Sequence, residues 1–346
     1  MGNSKRASGG KRGIIKAVAS LLIVLIVAGG GVVVYGYNYL KGLAANPMNP
    51  FEQESKSNDL SIVVQNSAGQ DIAYRYNKDL VVIGLFGIDT DSERKQQRMG
   101  YRSDTMVVCA VDVVEKKAAL ITCPRDTKAM VKKLDAKNGE VLSEQWDKLG
   151  HAYAYGGGRN NYSYANACDA ISNLFDLGEL EIPPITLYAG IDMDGLPPIA
   201  SKVGGVPVTL RQNIPGYGKA GETIVLNSNN ASDFVRLRSG AGLSGSDLDR
   251  TKRQQDFLKG LAKRVQEMGP IEAVPKLYKD LINIVDTNLN EDQMAALAMV
   301  LKDMDVETID FHMVPGKAET QNKTSYYIPD MDALHELIIS LFYKEN

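Results

Sequence analysis

The chain has 346 residues, of which 44% are hydrophobic and 23% are charged, with 32 Gly and 13 Pro. These fractions are typical of globular proteins and exclude a collagen, a coiled coil or a disordered chain. The formal net charge is −3, but residues 1–45 carry six of the 39 Lys and Arg residues and no Asp or Glu. The rest of the chain is therefore acidic, which argues against nucleic acid as a partner because nucleic-acid binding needs a basic surface.

The N-terminal region predicts a membrane anchor. Residues 17–40 contain no charged residue, and about 20 such residues suffice to cross the hydrocarbon core as a helix. Five positive charges precede this segment and only Lys41 follows it, which places the N-terminus inside and the body outside. A cleaved signal peptide is the alternative, although the apolar stretch is long for one. We predict a cytoplasmic tail at 1–16, a transmembrane helix at 17–40, a linker at 41–60 and an extracellular domain at 61–346.

The body alternates predicted strands with predicted helices. Residues 80–87 form a continuous apolar run, which is typical of a strand buried on both faces. Further strands are predicted at 61–65, 72–76, 106–114, 118–123, 206–210 and 306–314. Helical periodicity predicts helices at 162–177, 195–203, 229–236, 246–268, 290–302 and 330–342, with Ser246 as the N-cap of the fourth. The alternation predicts an α/β layer fold.

Cysteine and histidine residues do not indicate a metal site or nucleophilic catalysis. Cys109, Cys123 and Cys168 have no CxxC spacing, and we interpret them as core thiols. A disulfide between the first two remains open, because they flank a predicted hairpin. The three His residues are isolated in the sequence, which argues against a zinc site and against Ser-His-Asp chemistry.

Asp and Arg residues recur at the ends of the predicted elements. Asp89 closes the buried strand, and others stand just before the next strand, after the third strand and near two later helices. Loops at strand ends build the binding crevice of open α/β sheets. Two members of the set are four residues apart on a predicted helix and share one face. The full set is Asp89, Arg102, Asp104, Arg125, Asp126, Arg236, Arg238, Arg250 and Gln254.

Each of these residues alone is compatible with an ordinary surface ion pair, but convergence of the whole set requires a reason. Two Arg charges about 7 Å apart repel by roughly 2 kcal/mol at an effective dielectric of 20. Carboxylates or a bound polyanion would offset that repulsion, and the planar Arg group suits phosphate oxygens. Two carboxylates with phosphate oxygens suit Mg²⁺. The set therefore indicates phosphoryl transfer on a pyrophosphate, promoted mainly by charge stabilisation.

The order of these motifs resembles the LytR–CpsA–Psr (LCP) family, also called the cell envelope-related transcriptional attenuator domain family. The resemblance covers residues 80–268. One motif departs from the family pattern, because Gly150-His151 stands where Asn-Ala is common. The matching segments are Gly87-x-Asp89, Arg102-Ser103-Asp104-Thr105, Pro124-Arg125-Asp126-Thr127, Lys148-Leu149-x-x-Ala152-Tyr153, Val203-Gly204-Gly205-Val206, Arg236-x-Arg238 and Asp249-Arg250-x-x-Arg253-Gln254-Gln255.

The resemblance implies a three-layer α-β-α domain with a mixed central sheet, preceded by one N-terminal transmembrane helix. It implies transfer of a glycopolymer phosphate, such as wall teichoic acid or a capsular polysaccharide, from an undecaprenyl-pyrophosphate carrier. The acceptor would be the 6-hydroxyl of muramic acid in peptidoglycan. The chain would be anchored in the cell membrane of a Gram-positive-type envelope, with its C-terminal domain outside. The implied partners are the carrier-linked glycopolymer, peptidoglycan and the membrane.

The resemblance also implies roles for individual residues. Asp89 and Asp104 would bind Mg²⁺ at the pyrophosphate, and whether Asp104 or Asp126 helps to deprotonate the acceptor hydroxyl stays open. The pyrophosphate would be held by Arg102, Arg125, Lys148, Arg236, Arg238, Arg250 and Gln254. The implied catalytic residues are Arg102, Asp104, Arg125, Asp126, Arg236 and Arg238.

Two other functions remain open from the sequence. A lipid pyrophosphatase would use water in place of peptidoglycan and release free polymer. A non-catalytic regulator that binds polyprenyl phosphates would need the Arg cluster but not the metal-binding carboxylates. Because Asp89 and Asp104 are both present, we favour an enzyme.

Overall fold

The computed structural model describes residues 42, 45–51, 60–65, 69–88, 101–158, 161–176, 182–191, 195–237, 247–268 and 285–345. The predicted membrane anchor at 17–40 lies outside these ranges. Within them, no helix is long and apolar enough to span a membrane.

The strands and helices follow one another along the chain with these bounds. The strands are β1 Ser61–Gln65, β2 Asp71–Tyr76, β3 Leu80–Ile88, β4 Ser103–Asp112, β5 Lys117–Cys123, β6 Lys128–Leu134, β7 Val141–Lys148, β8 Leu187–Ile191, β9 Val206–Thr209, β10 Thr223–Leu226, β11 Val285–Thr287, β12 Asp310–Met313, β13 Gly316–Gln321, β14 Thr324–Pro329 and β15 Tyr343–Glu345. The helices are α1 His151–Tyr155, α2 Asn161–Asp176, α3 Leu196–Lys202, α4 Ala231–Arg236, α5 Asp247–Glu267, α6 Glu291–Asp303 and α7 Met331–Phe342.

A six-stranded mixed sheet lies at the centre, in the order β11-β8-β3-β4-β5-β12. Strand β4 is antiparallel to both of its neighbours, whereas β3 pairs with β8 and β5 pairs with β12 in parallel. Every residue of β4 is buried, and β3 is buried along almost its whole length, as its apolar run predicts. The predicted α/β class and mixed central sheet are therefore confirmed.

Hydrophobic cores lie on both faces of this sheet. Along β4, Val107 and Cys109 belong to a core that contains side chains of α3, α4, α5 and α6. The alternate residues Met106 and Val108 belong to a second core, with side chains of α1, α2 and α7. This period of two is the usual pattern of a strand covered on both sides. Helices thus pack against each face of the sheet.

The cysteines are buried free thiols, as interpreted from the sequence. Cys109 lies in one core and Cys123 in the other, so the strand alternation points their side chains to opposite faces of the sheet. The disulfide left open by the sequence does not form. Burial raises the pKa of both thiols, which keeps them protonated and unreactive.

Helix periodicity located most of the helices. The sequence placed α6 at 290–302, and Asn290 caps it: its side chain accepts from Gln293 N at 2.9 Å, while Gln293 Oε1 accepts from Asn290 N at 3.0 Å. The predicted strand at 306–314 begins instead as a 3₁₀ turn over Val306–Thr308, and β12 occupies only Asp310–Met313. Ser246, the expected N-cap of α5, lies outside the described residues.

Part of the predicted linker packs on the body. Asn49–Phe51 form a 3₁₀ turn, and Phe51 is buried in the core that contains α6. Gln293 Nε2 donates to the carbonyl of Pro50 at 3.3 Å. The chain is therefore fixed to the domain about ten residues after the end of the predicted anchor, while the domain boundaries themselves stay a prediction.

Candidate functional site

One edge of the central sheet gathers Asp and Arg residues from two strand ends, the start of β4 and the end of β5. The last residue of β3, Ile88, pairs with Ser103 at the start of β4. Cys123 at the end of β5 pairs with Met106 of the same strand. This antiparallel arrangement brings Asp104 into contact with Arg125, and Arg102 directly precedes β4 at the same edge. Asp89, which directly follows β3, lies outside the described residues.

A buried ion pair joins two of these residues. Asp104 lies in β4 with its side chain only 3% exposed, and Arg125 Nη1 donates to its Oδ1 at 2.6 Å. A buried carboxylate is costly unless a cation and hydrogen bonds compensate it. Asp104 therefore fixes the guanidinium of Arg125 at the edge of the sheet.

A second ion pair lies next to the first. Lys148 Nζ donates to Asp126 Oδ1 at 2.9 Å, and Arg125 Nε lies 3.8 Å from the same oxygen. The Asp126 side chain is 37% exposed, so it is far more accessible than that of Asp104. The site thus has two cations and two carboxylates in one chain of contacts, in which Asp126 lies between Arg125 and Lys148 and is the more exposed carboxylate.

The hairpin β6–β7 brings Lys148 to this position. Its register pairs Lys128, two residues after Asp126, with Lys148. Beyond the hairpin, Leu149 N donates to Thr127 O at 2.8 Å and Gly150 N donates to Arg125 O at 2.9 Å. The chain leaving the hairpin is therefore bonded back to the loop that carries Arg125 and Asp126.

Gly150 has a steric role at this crossing. A Cβ atom there would lie 2.9 Å from Ser103 O and 3.0 Å from Arg125 Cβ, which is closer than such contacts normally come. Any larger residue at this position would push the start of α1 away from the loop. Gly150-His151, the motif that differs from the usual Asn-Ala of the family pattern, thus fits the local packing of this chain.

A third carboxylate, Asp147, organises the start of α1. Its Oδ2 accepts from Tyr155 Oη at 2.7 Å and lies 3.0 Å from His151 Nδ1. Burial raises the pKa of Asp147, but these hydrogen bonds and the Lys148 backbone N–H outweigh burial and hold the pKa below its usual value. The hydrogen bond to Asp147 raises the pKa of Tyr155 to about 12, and the nearby charge of Arg102 opposes that rise.

Sequence reasoning missed this cluster. Asp147, His151 and Tyr155 are spaced four residues apart, which is a helical spacing and was the available signal. The charge of Arg102 acts on Tyr155, so the cluster borders the predicted phosphate-binding residues. Its hydrogen bonds fix the ring of His151 and the hydroxyl of Tyr155.

The remaining predicted site residues are described only in part. Arg236 ends α4, and Arg250 and Gln254 lie one turn apart in α5, so their backbone positions agree with the predicted helices. Their side chains, and all of Arg238, lie outside the described residues. Arg253 of α5 is buried and donates to Leu237 O at 2.6 Å, which joins α5 to the end of α4. Convergence of these residues on Arg125 stays a prediction.

The donor atoms of the described site are hard oxygens and cationic nitrogens. Among the described residues, no group of three or more His, Cys, Asp or Glu side chains is placed to hold a metal ion by itself. A carboxylate such as Asp104, together with oxygens of a bound phosphate, is the donor set that Mg²⁺ prefers. Asp104 is an oxygen donor of this kind, and a magnesium ion shared between the protein and an anionic ligand stays a prediction.

This chain is similar to a known protein family, to a curated relative and to solved structures. The model of the LytR_cpsA_psr family matches residues 34–341. The polyisoprenyl-teichoic acid–peptidoglycan teichoic acid transferase TagU of Bacillus licheniformis is 24% identical over 268 residues, which is 77% of this chain and 78% of TagU. The crystal structure of Bacillus subtilis TagU has a TM-score of 0.52 and 21% identity, over 76% of this chain and 95% of that one. A structure of TagT bound to LIIa-WTA has a TM-score of 0.55 and 20% identity, over 76% of this chain and 90% of TagT.

Removal of the Arg125 side chain should destabilise the fold. In Arg125→Ala the buried Asp104 carboxylate loses a short charged hydrogen bond, which should lower the free energy of unfolding by about 1–3 kcal/mol. Urea unfolding of the full-length chain, followed by circular dichroism, measures this change. Arg211→Ala is the matched control, because Arg211 makes a bidentate pair with Asp256 while its side chain is 57% exposed.

The control should cost less than about 1 kcal/mol, as exposed ion pairs do. Equal losses in the two variants would contradict the account of Asp104 and Arg125 as a buried pair.

Proposed function

The chain belongs to the LytR_cpsA_psr family, and on that premise we propose that it transfers a glycopolymer phosphate from a polyprenyl-pyrophosphate carrier to peptidoglycan. The observation that carries the proposal is the group formed by Asp104, Arg125, Asp126 and Lys148 at the edge of the sheet. The B. licheniformis relative, whose matched region covers most of both chains, is named a teichoic acid transferase. A glycopolymer–peptidoglycan ligase is the function that accounts for both findings.

The cations of the site bind the pyrophosphate. Arg125 is held in one orientation by Asp104, so little conformational entropy is lost when its guanidinium binds phosphate oxygens. Lys148 supplies a second charge, which Asp126 balances in the absence of ligand. Arg102 is exposed at the same edge, and Arg236, Arg238, Arg250 and Gln254 complete the proposed set.

The reaction exchanges one bond at phosphorus for another. The 6-hydroxyl oxygen of muramic acid attacks the phosphorus that bears the polymer, and the bond to the bridging oxygen of the pyrophosphate breaks. Undecaprenyl phosphate leaves with the bridging oxygen, and a phosphodiester joins the polymer to peptidoglycan. Fixed cations lower the barrier because they lie where negative charge develops on the phosphate oxygens.

Asp126 is the better placed of the two carboxylates to accept the hydroxyl proton. Each carboxylate has one oxygen bonded to a cation, but the Asp104 side chain is 3% exposed whereas that of Asp126 is 37% exposed and so accessible to a ligand. A loose transition state at phosphorus needs little help from a base. We therefore assign Asp104 to positioning and metal binding, and Asp126 to the proton.

Asp89 and Asp104 are the proposed ligands of Mg²⁺. When bound, the ion would neutralise charge on the pyrophosphate oxygens. Asp104 enters this role already oriented by its hydrogen bond from Arg125.

The proposed location follows from the substrate and the N-terminal sequence. A polyprenyl carrier is confined to the membrane, and the apolar segment 17–40 would anchor the chain there with its body outside. Packing of Phe51 in the core would then hold the catalytic domain near the membrane surface. The domain faces peptidoglycan in this arrangement.

Arg102→Ala and Arg236→Ala should each lower the rate of transfer on the order of 10²–10³-fold, as loss of a fixed charge-stabilising group does in other enzymes. The full-length chain in detergent is assayed with a synthetic polyprenyl-pyrophosphate glycan, peptidoglycan oligomers and Mg²⁺. Arg102 is exposed, so its variant should keep the melting temperature of the wild type. Arg211→Ala is the control and should keep its activity; wild-type rates in both site variants would refute the proposed phosphate-binding set.

Asp89→Asn should weaken the binding of Mg²⁺ rather than abolish binding of the carrier. We expect the Mg²⁺ concentration for half-maximal transfer to rise about tenfold or more, because a ligand oxygen loses its charge. Asp256→Asn removes an acidic group paired with Arg211 and should leave the Mg²⁺ titration unchanged. An unchanged titration in Asp89→Asn would remove Asp89 from the ligand set.

A further inference from the structure

A cavity of about 260 Å³ lies beside the hairpin β6–β7, outside the group of ionic residues described above. Its wall is formed by the hairpin on one side and by the end of β14 and the start of α7 on the other. The lining is mainly apolar, with Met130, Trp146, Leu174, Ile328 and Met331, and Lys128 also lines it. None of these residues belongs to the set predicted from the sequence.

The register of the hairpin places the ring of Trp146 beside a pair of lysines. Lys128 pairs with Lys148, and two residues further on Met130 pairs with Trp146. Residues directly opposite in an antiparallel pair project to the same face, and that face repeats every second residue. The two lysines, Met130 and Trp146 therefore share one face of the hairpin, while Ala129 packs into the core on the other face.

Trp146 is the single Trp of the chain and is 54% exposed. A large aromatic ring is usually buried in a monomeric protein, and an exposed one beside an apolar cavity indicates a binding surface. Its indole offers a flat apolar face that can pack against the C–H groups of a ligand. Trp146 thus lines the cavity while it stays more than half exposed to solvent.

A chain of side-chain contacts joins the lining of the cavity, through Lys128, to the candidate active site. The ring of Tyr326 lies beneath two ammonium groups, with Lys128 Nζ at 5.8 Å and Lys148 Nζ at 5.9 Å from its centroid. Lys148 also binds Asp126, the proposed proton acceptor. A ligand that extends from Trp146 past Tyr326 would therefore arrive at Asp126 and the proposed phosphate site.

The cavity and the exposed face of Trp146 together form a groove. We propose that this groove binds a sugar unit of the acceptor glycan strand, an assignment that rests on the proposed function. An N-acetylated amino sugar presents an apolar ring face to Trp146 and an acetyl methyl group to the pocket of Leu174 and Met331. Acidic groups on the peptidoglycan strand would pair with Lys128. Strand and groove thus match in both polarity and charge.

The dimensions of the groove favour this ligand over the polyprenyl chain. At about 260 Å³ the cavity lies just below the usual range of pockets for drug-sized molecules, which is roughly 300–1,000 Å³. One sugar ring fits this volume, whereas a long polyprenyl chain requires a much larger apolar surface. A strand that rests a neighbouring ring on Trp146 would present a hydroxyl group near Asp126.

Intrinsic fluorescence tests the binding directly, because Trp146 is the sole Trp of the chain. The full-length protein is titrated with soluble peptidoglycan oligomers in one arm and with polyprenyl phosphate in the other. The assignment predicts a saturable change of the emission with the oligomers and none with the lipid. No change at oligomer concentrations that saturate transfer, or a change with the lipid alone, would overturn it.

The KM values of a Trp146 variant distinguish binding of the acceptor from binding of the donor. Trp146→Ala should raise the KM for the peptidoglycan oligomer about tenfold, leave the KM for the donor unchanged and keep the melting temperature, and Trp146→Phe should restore most of the loss. Val141→Ala is the matched control, because Val141 is 53% exposed on the same strand but does not line the cavity. It should behave as wild type.

An increase in the KM for the donor instead would assign the groove to the carrier-linked polymer and overturn the proposal. Failure of the wild-type chain to transfer any polymer would refute the proposed function. The fluorescence titration would still decide whether the groove binds the amino-sugar strand, so the two failures are distinguishable.

Discussion

The ion pair between Asp104 and Arg125 is the interaction on which the site depends. Asp104 is buried in the central strand of the sheet, where a carboxylate without a cation would cost several kcal/mol. Its partner must therefore come from the neighbouring strand end, and Arg125 at 2.6 Å fills that need. This bond helps to fix the loop that also carries Asp126, and the hairpin β6–β7 brings Lys148 into contact with that second carboxylate.

Carboxylates at this edge offset the repulsion between the neighbouring cations Arg125 and Lys148. Arg125 and Lys148 are each neutralised by a carboxylate within 3 Å in the free protein. In the proposed reaction, a bound pyrophosphate adds negative charge beside these two cations. Asp147 is a further carboxylate of the same hairpin, and its hydrogen bonds order the side chains of His151 and Tyr155. The chain thus holds its cations ready for an anion without a large rearrangement.

The sequence predicted those parts of the fold that carry a clear hydrophobic period. Helix α6 was located by this period and strand β3 by its continuous apolar run, and Arg125 met Asp104 because β4 runs antiparallel to both neighbours. The hairpin β6–β7 was missed because β7 is exposed or half-buried on both faces, so its apolar residues do not alternate. The groove at Trp146 and the position of Lys148 depend on that hairpin register and had no signal in the sequence pattern alone.

The central claim is that phosphorus passes from the carrier to a sugar hydroxyl and not to water. The most direct measurement is a reaction of the full-length chain with carrier-linked glycan and peptidoglycan oligomers in water enriched in ¹⁸O, followed by mass spectrometry of the products. The account predicts a phosphodiester at the 6-position of muramic acid that contains no ¹⁸O. Free polymer whose terminal phosphate carries ¹⁸O would identify a hydrolase and contradict the account, as would binding of the carrier without any product.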